Sequence, residues 1–200
     1  MVSAESAAAS RPGSIPRSPA KARIVSAAVS LFAEHGVGGT SLQMIADVIG
    51  VTKAAVYHQF RTKDEIVIAV AEAELDRLAA AIDAAEAEPG PGSAREALLI
   101  RIIDLAVARR RMESTLVGDP VLVRFFAHHE PFRRVMGRLY RLLMGEDAGD
   151  EARTQAAMLT AALGGAVMHP LLADLDDDTL RSQLLHLARR FLGLPAEDHE

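Results

Sequence analysis

A helical pattern, a single glycine and a second helical pattern follow one another between Thr40 and Lys63, and this succession constrains the fold more than any other part of the chain. Thr40 is placed to cap the first helix, and Gln43, three residues later, to close a capping box. Gly50 suits the left-handed backbone conformation that ends a helix, and Thr52 suits a second N-cap. The stretch therefore predicts two short helices joined by a tight turn.

The two helices, which together span about residues 41–60, have an apolar side and a polar side. The apolar residues at helical spacing are Ile45, Ala46, Ile49, Val51, Val56 and Phe60. The other side of the second helix carries Lys53, Ala54, Ala55, Tyr57 and His58. Small, basic and hydrogen-bonding side chains are the kinds that contact base edges in a DNA groove. The pattern predicts a helix-turn-helix whose second helix faces DNA.

The charges of the chain are unevenly distributed. The formal net charge is -5, but residues 1–64 carry seven lysines and arginines against four acids, a net of +3. The remaining residues therefore carry a net of -8. A basic first third and an acidic remainder indicate that only the first third meets a polyanion.

Helical spacing continues on both sides of the motif. Ser18-Pro19 begins a first helix that is expected to stop at Gly36, and Thr62 with Glu65 forms a capping box that opens a long fourth helix. The run from Pro89 to Gly92 is a strong helix breaker that ends it. Later helices are expected to begin or lie at Ser93 (boxed with Glu96), Asp119-Pro120, Glu130-Pro131, Glu151–Met168 and Asp177–Leu192. No segment alternates at period two for long enough to make a strand, so the fold class is all-α with about nine helices.

Three regions follow from these patterns. Residues 1–17, rich in Ala, Ser and Pro, predict a disordered N-terminal tail, whose Arg11 and Arg17 either stay solvated or reach a minor groove. Residues 18–65 form a three-helix head, and residues 66–200 an acidic helical body. The sequence lacks cysteine and any apolar run of membrane-spanning length, which favours a soluble cytoplasmic protein without membrane contact.

The last two helices are candidates for a homodimer interface. The penultimate helix is poor in bulk because of Ala156, Ala157, Ala161, Ala162, Gly164, Gly165 and Ala166. The last helix supplies Leu180, Leu184, Leu185, Leu187, Ala188, Phe191 and Leu192. Two such helices from each of two chains form a four-helix interface, which would pair two DNA-reading heads. The alternative is that these residues form ordinary core within one chain.

The stretch TSLQMIADVIGVTKAAVYHQF, the following RTKDEI and the all-helical acidic remainder together resemble the TetR family of bacterial transcriptional regulators. The resemblance covers about residues 18–66. It implies a helix-turn-helix DNA-binding domain over residues 18–65 and a ligand-binding and dimerisation domain over residues 66–200. It also implies a repressor released from a pseudo-palindromic operator by a small-molecule effector.

The resemblance also implies roles for individual residues. Lys53, Ala54 and Ala55 would meet base edges, whereas Tyr57 and His58 would contact phosphates or bases. Gln43 would contact DNA from the bracing helix or merely close its capping box. Thr52 and Lys63 would hold phosphates. The family often has glycine and threonine where this chain has Ala54 and Ala55, which leaves contact with a thymine methyl as the readout there.

The effector site is expected in the body. Adaptable or polar candidates for its wall are Arg101, Asp104, Phe125, Phe126, His128, Met136, Tyr140, Met158 and Met168. The alternative is that the apolar ones among them are plain core. His128-His129-Glu130 is not expected to bind a metal, because adjacent side chains splay apart on a helix. Arg109-Arg110-Arg111 is interpreted as a solvated helix C-terminus.

These patterns favour a DNA-binding transcriptional regulator with no cofactor and no enzymatic activity. One alternative is a helical enzyme that carries a helix-turn-helix-like segment, but metal-spaced ligands, a phosphate-binding glycine loop and a nucleophile motif are all missing from the sequence. The other is a ligand-independent architectural DNA binder, for which a basic body is expected.

Overall fold

The computed structural model of the chain describes residues 18–108, 110, 125–145 and 149–194. Several features of the sequence lie outside these ranges: the N-terminal tail with Arg11 and Arg17, the helix start at Asp119-Pro120, and Arg109 and Arg111.

The described residues fold into α-helices without a strand, which confirms the all-α prediction. The helices are α1 (Pro19–Gly39), α2 (Leu42–Ile49), α3 (Lys53–Gln59), α4 (Lys63–Glu86), α5 (Pro91–Ala108), α6 (Glu130–Met144), α7 (Asp150–Val167) and α8 (Asp177–Leu192). A single 3-10 turn, Pro170–Leu172, connects α7 to α8. Among the helices described, none is both long and apolar enough to cross a membrane.

The first four helices each begin at a hydroxyl side chain that accepts a hydrogen bond from a backbone amide in the first turn. Ser18 accepts from the amide of Lys21 at the start of α1, and Thr52 from that of Ala55 at the start of α3, both at 3.2 Å. Thr62 does the same for α4. These side chains replace the partners that the first amides of a helix lack, so the predicted caps of α1, α3 and α4 are confirmed.

The predicted capping box at the start of α2 is wrong. Ser41, not Thr40, is the N-cap, and its hydroxyl accepts from the amide of Met44 at 3.2 Å. The buried Thr40 hydroxyl instead donates to the carbonyl of Gly36 at 2.8 Å and lies 3.1 Å from that of Leu31. The Gln43 amide donates to the carboxylate of Asp47 at 2.7 Å. An alternative partner one turn ahead is available to Gln43, which spacing alone does not reveal.

Two helix boundaries differ from the expected ones. At Gly36 the backbone leaves the helical region (φ 74°, ψ 162°), but a short helical segment continues to Gly39 after this kink. α5 begins at Pro91 rather than at a cap on Ser93, whose hydroxyl donates to the carbonyl of Gly90. Proline is well suited to the first turn of a helix because it has no amide hydrogen to satisfy.

The buried apolar residues form two cores joined by α4. The head core combines α1, α2 and α3 with the first half of α4, up to Ala73. The body core combines the end of α4, from Ile82, with the later helices. Hence α4 is a single rod whose two ends belong to different cores, and the term head is used below for α1–α3 with residues 63–73 of α4.

Charged side chains join the body helices. Arg138 of α6 bridges two carboxylates of α4, those of Asp83 at 2.7 Å and Glu86 at 2.6 Å. Hydrogen bonds to Glu86 and then Asp83 raise the pKa of the Arg138 guanidinium. The nearly buried Arg189 of α8 donates to Glu96 of α5 at 2.7 Å.

Candidate nucleic-acid interface

The second helix of the motif, α3, is anchored on one side and open on the other. Val56 and the following Phe60 are buried in the head core. Gly50 has the expected left-handed conformation (φ 69°), which turns the chain from α2 into α3. All six residues expected to face DNA from this helix and its cap are exposed: Thr52, Lys53, Ala54, Ala55, Tyr57 and His58. The structure therefore brings them together on one face of the head.

The orientation of His58 is fixed by a short chain of hydrogen bonds. The Gln59 amide nitrogen lies 3.2 Å from Nδ1 of His58, and the hydroxyl of Ser18 lies 3.4 Å from the Gln59 carbonyl oxygen. With Nδ1 bound to Gln59, Nε2 is the ring nitrogen of His58 that remains for a phosphate oxygen, to which it donates when it carries a proton. Sequence reasoning missed Gln59, whose link to α1 spans 41 residues.

Two cations of the head have no side-chain hydrogen bond or ion pair with any residue that the structure describes. They are Lys53, at the start of α3, and Arg61, between α3 and α4, and both are exposed. Arg61 uses only its backbone amide, which donates to Glu65 at 2.8 Å. The sequence predictions included Lys53 but missed Arg61, although its position directly after Phe60 was visible.

The other cations of the head are in contact with the head itself. The Arg23 guanidinium donates to the carbonyl of Ile49, the last residue of α2, at 2.7 Å. The Lys21 ammonium lies 5.3 Å from the centroid of the Phe60 ring, a cation–π distance. Both contacts tie α1 to the helix-turn-helix, and neither places a carboxylate beside the cation.

The expected phosphate contact of Lys63 does not agree with the structure. Its ammonium lies 2.7 Å from the carbonyl of Val37, 3.2 Å from that of Thr40 and 3.4 Å from that of Gly38. An ammonium has three donors, so these three acceptors leave none for a phosphate. In this arrangement the Lys63 side chain binds the protein itself and not a phosphate.

Gln43 lies on the exposed side of α2. Its amide nitrogen is bound to Asp47, so its role at DNA stays a prediction.

The effector residues expected in the body differ in their exposure. Arg101, His128 and Met158 are exposed, so within one protomer they do not line an enclosed site. Asp104 forms an ion pair with Arg181 at 2.8 Å. Five candidates are half-buried. Met136, Tyr140 and Met168 pack on the body core, and Phe126 packs on the head core. The fifth is Phe125.

The Phe125 ring lies 4.2 Å from that of His129, and the Phe126 ring 4.5 Å from that of Phe132. These aromatic contacts contribute to the half-burial of both phenylalanines. Among the residues described, no group of His, Asp and Glu side chains could hold a metal ion.

A cleft of about 220 Å³ lies in the head. It opens between α1 and the helix-turn-helix, with Arg23, Ile24, Ile49, Ala55 and His58 among its walls. Its position beside α3 makes it part of the surface that the sequence predicts to face DNA.

The outer surface of α7 and α8 carries large apolar side chains. Met158 is 58% exposed, Leu187 55% and Phe191 41%. Small exposed residues surround them on α7: Ala157, Ala161, Ala162 and Gly165. Leu180, Leu184, Ala188 and Leu192 are buried within the protomer, so the intrachain alternative holds for them and not for Leu187 and Phe191.

Comparison with known proteins agrees with this geometry. Residues 24–70 match the family model of bacterial regulatory proteins of the tetR family. A tetR-family regulatory protein from Rhodococcus RHA1 is similar over 90% of this chain and 100% of its own, with a TM-score of 0.69 and 21% identity. A TetR/AcrR-family transcriptional regulator from Thermobifida fusca is 25% identical, with a TM-score of 0.61, over 90% of this chain and 98% of its own.

A fatty acid degradation regulator from Bacillus halodurans has a TM-score of 0.70 at 19% identity, over 93% of this chain and 100% of its own. No curated protein sequence matches the chain.

Proposed function

Since residues 24–70 place this chain in the TetR family of bacterial regulatory proteins, we propose that it is a homodimeric repressor that leaves its operator when a small apolar molecule binds the body. The observation that carries the DNA-binding role is the outward face of α3, where six exposed residues include a cation without a described partner. Regulators of this family bind DNA and typically dimerise.

The DNA contacts divide into two kinds. Lys53, Ala54 and Ala55, at the start of α3, meet base edges, where a lysine donates to guanine and an alanine packs on a thymine methyl. Thr52, Tyr57, His58 and Arg61 contact phosphates, which set the position of the head without reading sequence. Arg61 takes the role first expected of Lys63, because its guanidinium is available.

Dimerisation through α7 and α8 follows from the exposed apolar side chains. Met158, Leu187 and Phe191 are large and lie on neighbouring helices, joined by a hydrogen bond from Gln155 to the carbonyl of Phe191 at 3.0 Å. Exposed alanines and glycine on α7 let a second chain approach closely. Two heads then read half-sites about 34–36 Å apart, one turn of the duplex.

The effector is proposed to act by favouring one spacing of the heads. A ligand shifts the equilibrium only if it binds one arrangement better than the other. The half-buried Met136, Tyr140 and Met168 at the edge of the body core supply adaptable apolar surface for such a molecule.

Selection of duplexes from a random-sequence library by the purified protein tests the DNA-binding proposal. We expect enrichment of a pseudo-palindrome, bound with an affinity that falls steeply with salt. Absence of any enriched sequence would contradict the proposed function. Release from DNA is tested in two steps. Small molecules that co-purify with the protein are identified by mass spectrometry, and each is then added to the complex of the protein with its selected duplex. An apolar molecule that leaves this complex intact is not the effector.

A further inference from the structure

The three hydrogen bonds from Lys63 to the carbonyls of Val37, Gly38 and Thr40, called the Lys63 bridge below, join two parts of the head that are 23 to 26 residues apart in sequence. Lys63 is the first residue of α4, and the three acceptors belong to the end of α1 and the link to α2. The side chain is half-buried.

The acceptors need such a partner because of the kink at Gly36. The last carbonyls of a helix have no amide partner within it, and they carry the negative end of the helix dipole. The Gly36 carbonyl is taken by the amide and hydroxyl of Thr40. The Lys63 ammonium takes the following Val37 and Gly38 carbonyls, so a positive charge lies where the dipole favours one.

The Lys63 bridge also lies between α4 and the helix-turn-helix. α4 runs without interruption from Lys63 to Glu86, and its far end is buried in the body core at Ile82 and Ala85. Ser41, the N-cap of α2, directly follows Thr40, whose carbonyl is one of the three acceptors. The Lys63 bridge therefore links the first residue of α4 to the residue that precedes the N-cap of α2, and α2 leads through the Gly50 turn into α3.

We propose that Lys63 is a positioning residue that fixes the orientation of the helix-turn-helix relative to α4, and thereby the spacing of the two heads on DNA. The inference rests on the proposed function, and it assigns Lys63 a role other than phosphate binding. Arg61, two residues earlier and exposed, provides the contrasting case of a cation available to DNA.

The test compares the native dimer with Lys63→Met, Lys63→Arg and the matched variant Arg61→Met. Methionine has a side chain of similar length to lysine but no hydrogen-bond donor. Arginine keeps the positive charge, but its donors lie in the plane of the guanidinium group. Each protein is titrated, well below its melting temperature, with the duplex that the native protein selects from a random library. Derivatives of that duplex have the half-site spacing lengthened or shortened by one base pair, a shift of about 3.4 Å.

We expect the native protein to lose about tenfold or more in affinity for each changed spacing, the usual cost of a lost base contact. Lys63→Met and Lys63→Arg should reduce this loss to about threefold, because the end of α1 and the start of α2 lose their hydrogen bonds to the first residue of α4 and only the apolar core still orients them. Their salt dependence should stay native. Arg61→Met should retain the native spacing preference, while its salt slope should fall by about 0.9 for each head.

Two results would overturn the positioning role. One is that both Lys63 variants keep the native preference for half-site spacing, even if their melting temperatures are lower. In that case the bridge would only stabilise the fold. The other is a loss of salt slope in Lys63→Met with rescue in Lys63→Arg, which describes a phosphate contact. If the native protein selects no duplex, the proposed function itself fails, and this outcome is distinct from both.

Discussion

The head and the body use their cations differently. In the head, Arg23 and Lys63 donate to backbone carbonyls, so each stabilises the fold while its charge stays unneutralised by an acid. In the body, Arg138 and Arg189 are paired with carboxylates of α4 and α5. Arg23 and Lys63 of the head are thus held by backbone carbonyls, whereas Arg138 and Arg189 of the body are paired with carboxylates.

Their outer surfaces differ as well. The exposed face of α3 carries small or polar side chains apart from Tyr57, whereas α7 and α8 expose Met158, Leu187 and Phe191. Large apolar side chains grouped on an outer face mark an interaction surface. The exposed apolar side chains of the body therefore form the face that we propose a second copy covers, and the exposed side of α3 has no comparable cluster.

Disruption of the proposed dimer face has the largest expected effect. Leu187→Glu places a charge in that face and should convert the dimer to a monomer, measured by light scattering after gel filtration. Because the two heads then bind independently, operator affinity should fall by about 10²–10⁴-fold. Ser182→Glu adds the same charge about 140° around α8 and should leave the dimer intact. A dimeric Leu187→Glu protein would place the interface elsewhere.

Loss of an ion pair in the body has the second-largest expected effect. Arg189→Met removes the partner of Glu96 at a nearly buried position, and we expect a loss of about 3 kcal/mol in the free energy of unfolding. Denaturant titration measures it. The neighbouring Arg190→Met is the control, because Arg190 is exposed and such substitutions stay within about 0.5 kcal/mol. Equal effects of the two variants would contradict a structural role for the pair.

In the head, Lys53→Ala should alter discrimination between sequences. We expect a loss of about 1–2 kcal/mol for the selected operator and a smaller loss for random DNA, because a base-edge contact is removed. Arg61→Ala should weaken both by similar factors, since phosphate contacts carry no sequence information. Fluorescence anisotropy with both duplexes measures the ratio of the two affinities. An equal loss of affinity for both duplexes in Lys53→Ala would mean that Lys53 contacts the DNA backbone and not a base.

The smallest effect concerns the start of α8. Hydrogen bonds from the amide and then the hydroxyl of Thr179 lower the pKa of Asp176, the N-cap of that helix. A folded-state pKa below the unfolded value of about 3.9 gives stability that is present above that pH and lost as the pH falls through the folded pKa. Asp176→Asn should therefore melt below the native protein at neutral pH.

The difference in melting temperature between the two proteins should shrink on acidification below about pH 4. Asp174→Asn neutralises a neighbouring carboxylate outside the cap and serves as the control. A difference between native and Asp176→Asn protein that stays constant down to low pH would contradict the cap as its source.

The sequence by itself determined which segments are helical and which side of the helix-turn-helix is buried. Apolar spacing placed Val56 and Phe60 in the core, and local chemistry predicted Thr52 as a cap and Gly50 as a left-handed turn. These features depend on atoms within one or two helical turns, so the local pattern contains the information. The family resemblance of residues 24–70 rests on the same local pattern.

Only the tertiary structure decided which partner each polar side chain takes. Thr40 was expected to cap α2 but is buried against the end of α1, and Lys63 reaches carbonyls at least 23 residues away. Arg138 finds its carboxylates more than 50 residues back in the chain. Such long side chains can reach many acceptors, and the packing of the helices selects among them. Lys53 and Lys63, two lysines of the head, therefore have different environments: Lys53 is exposed, and Lys63 is bound to backbone carbonyls.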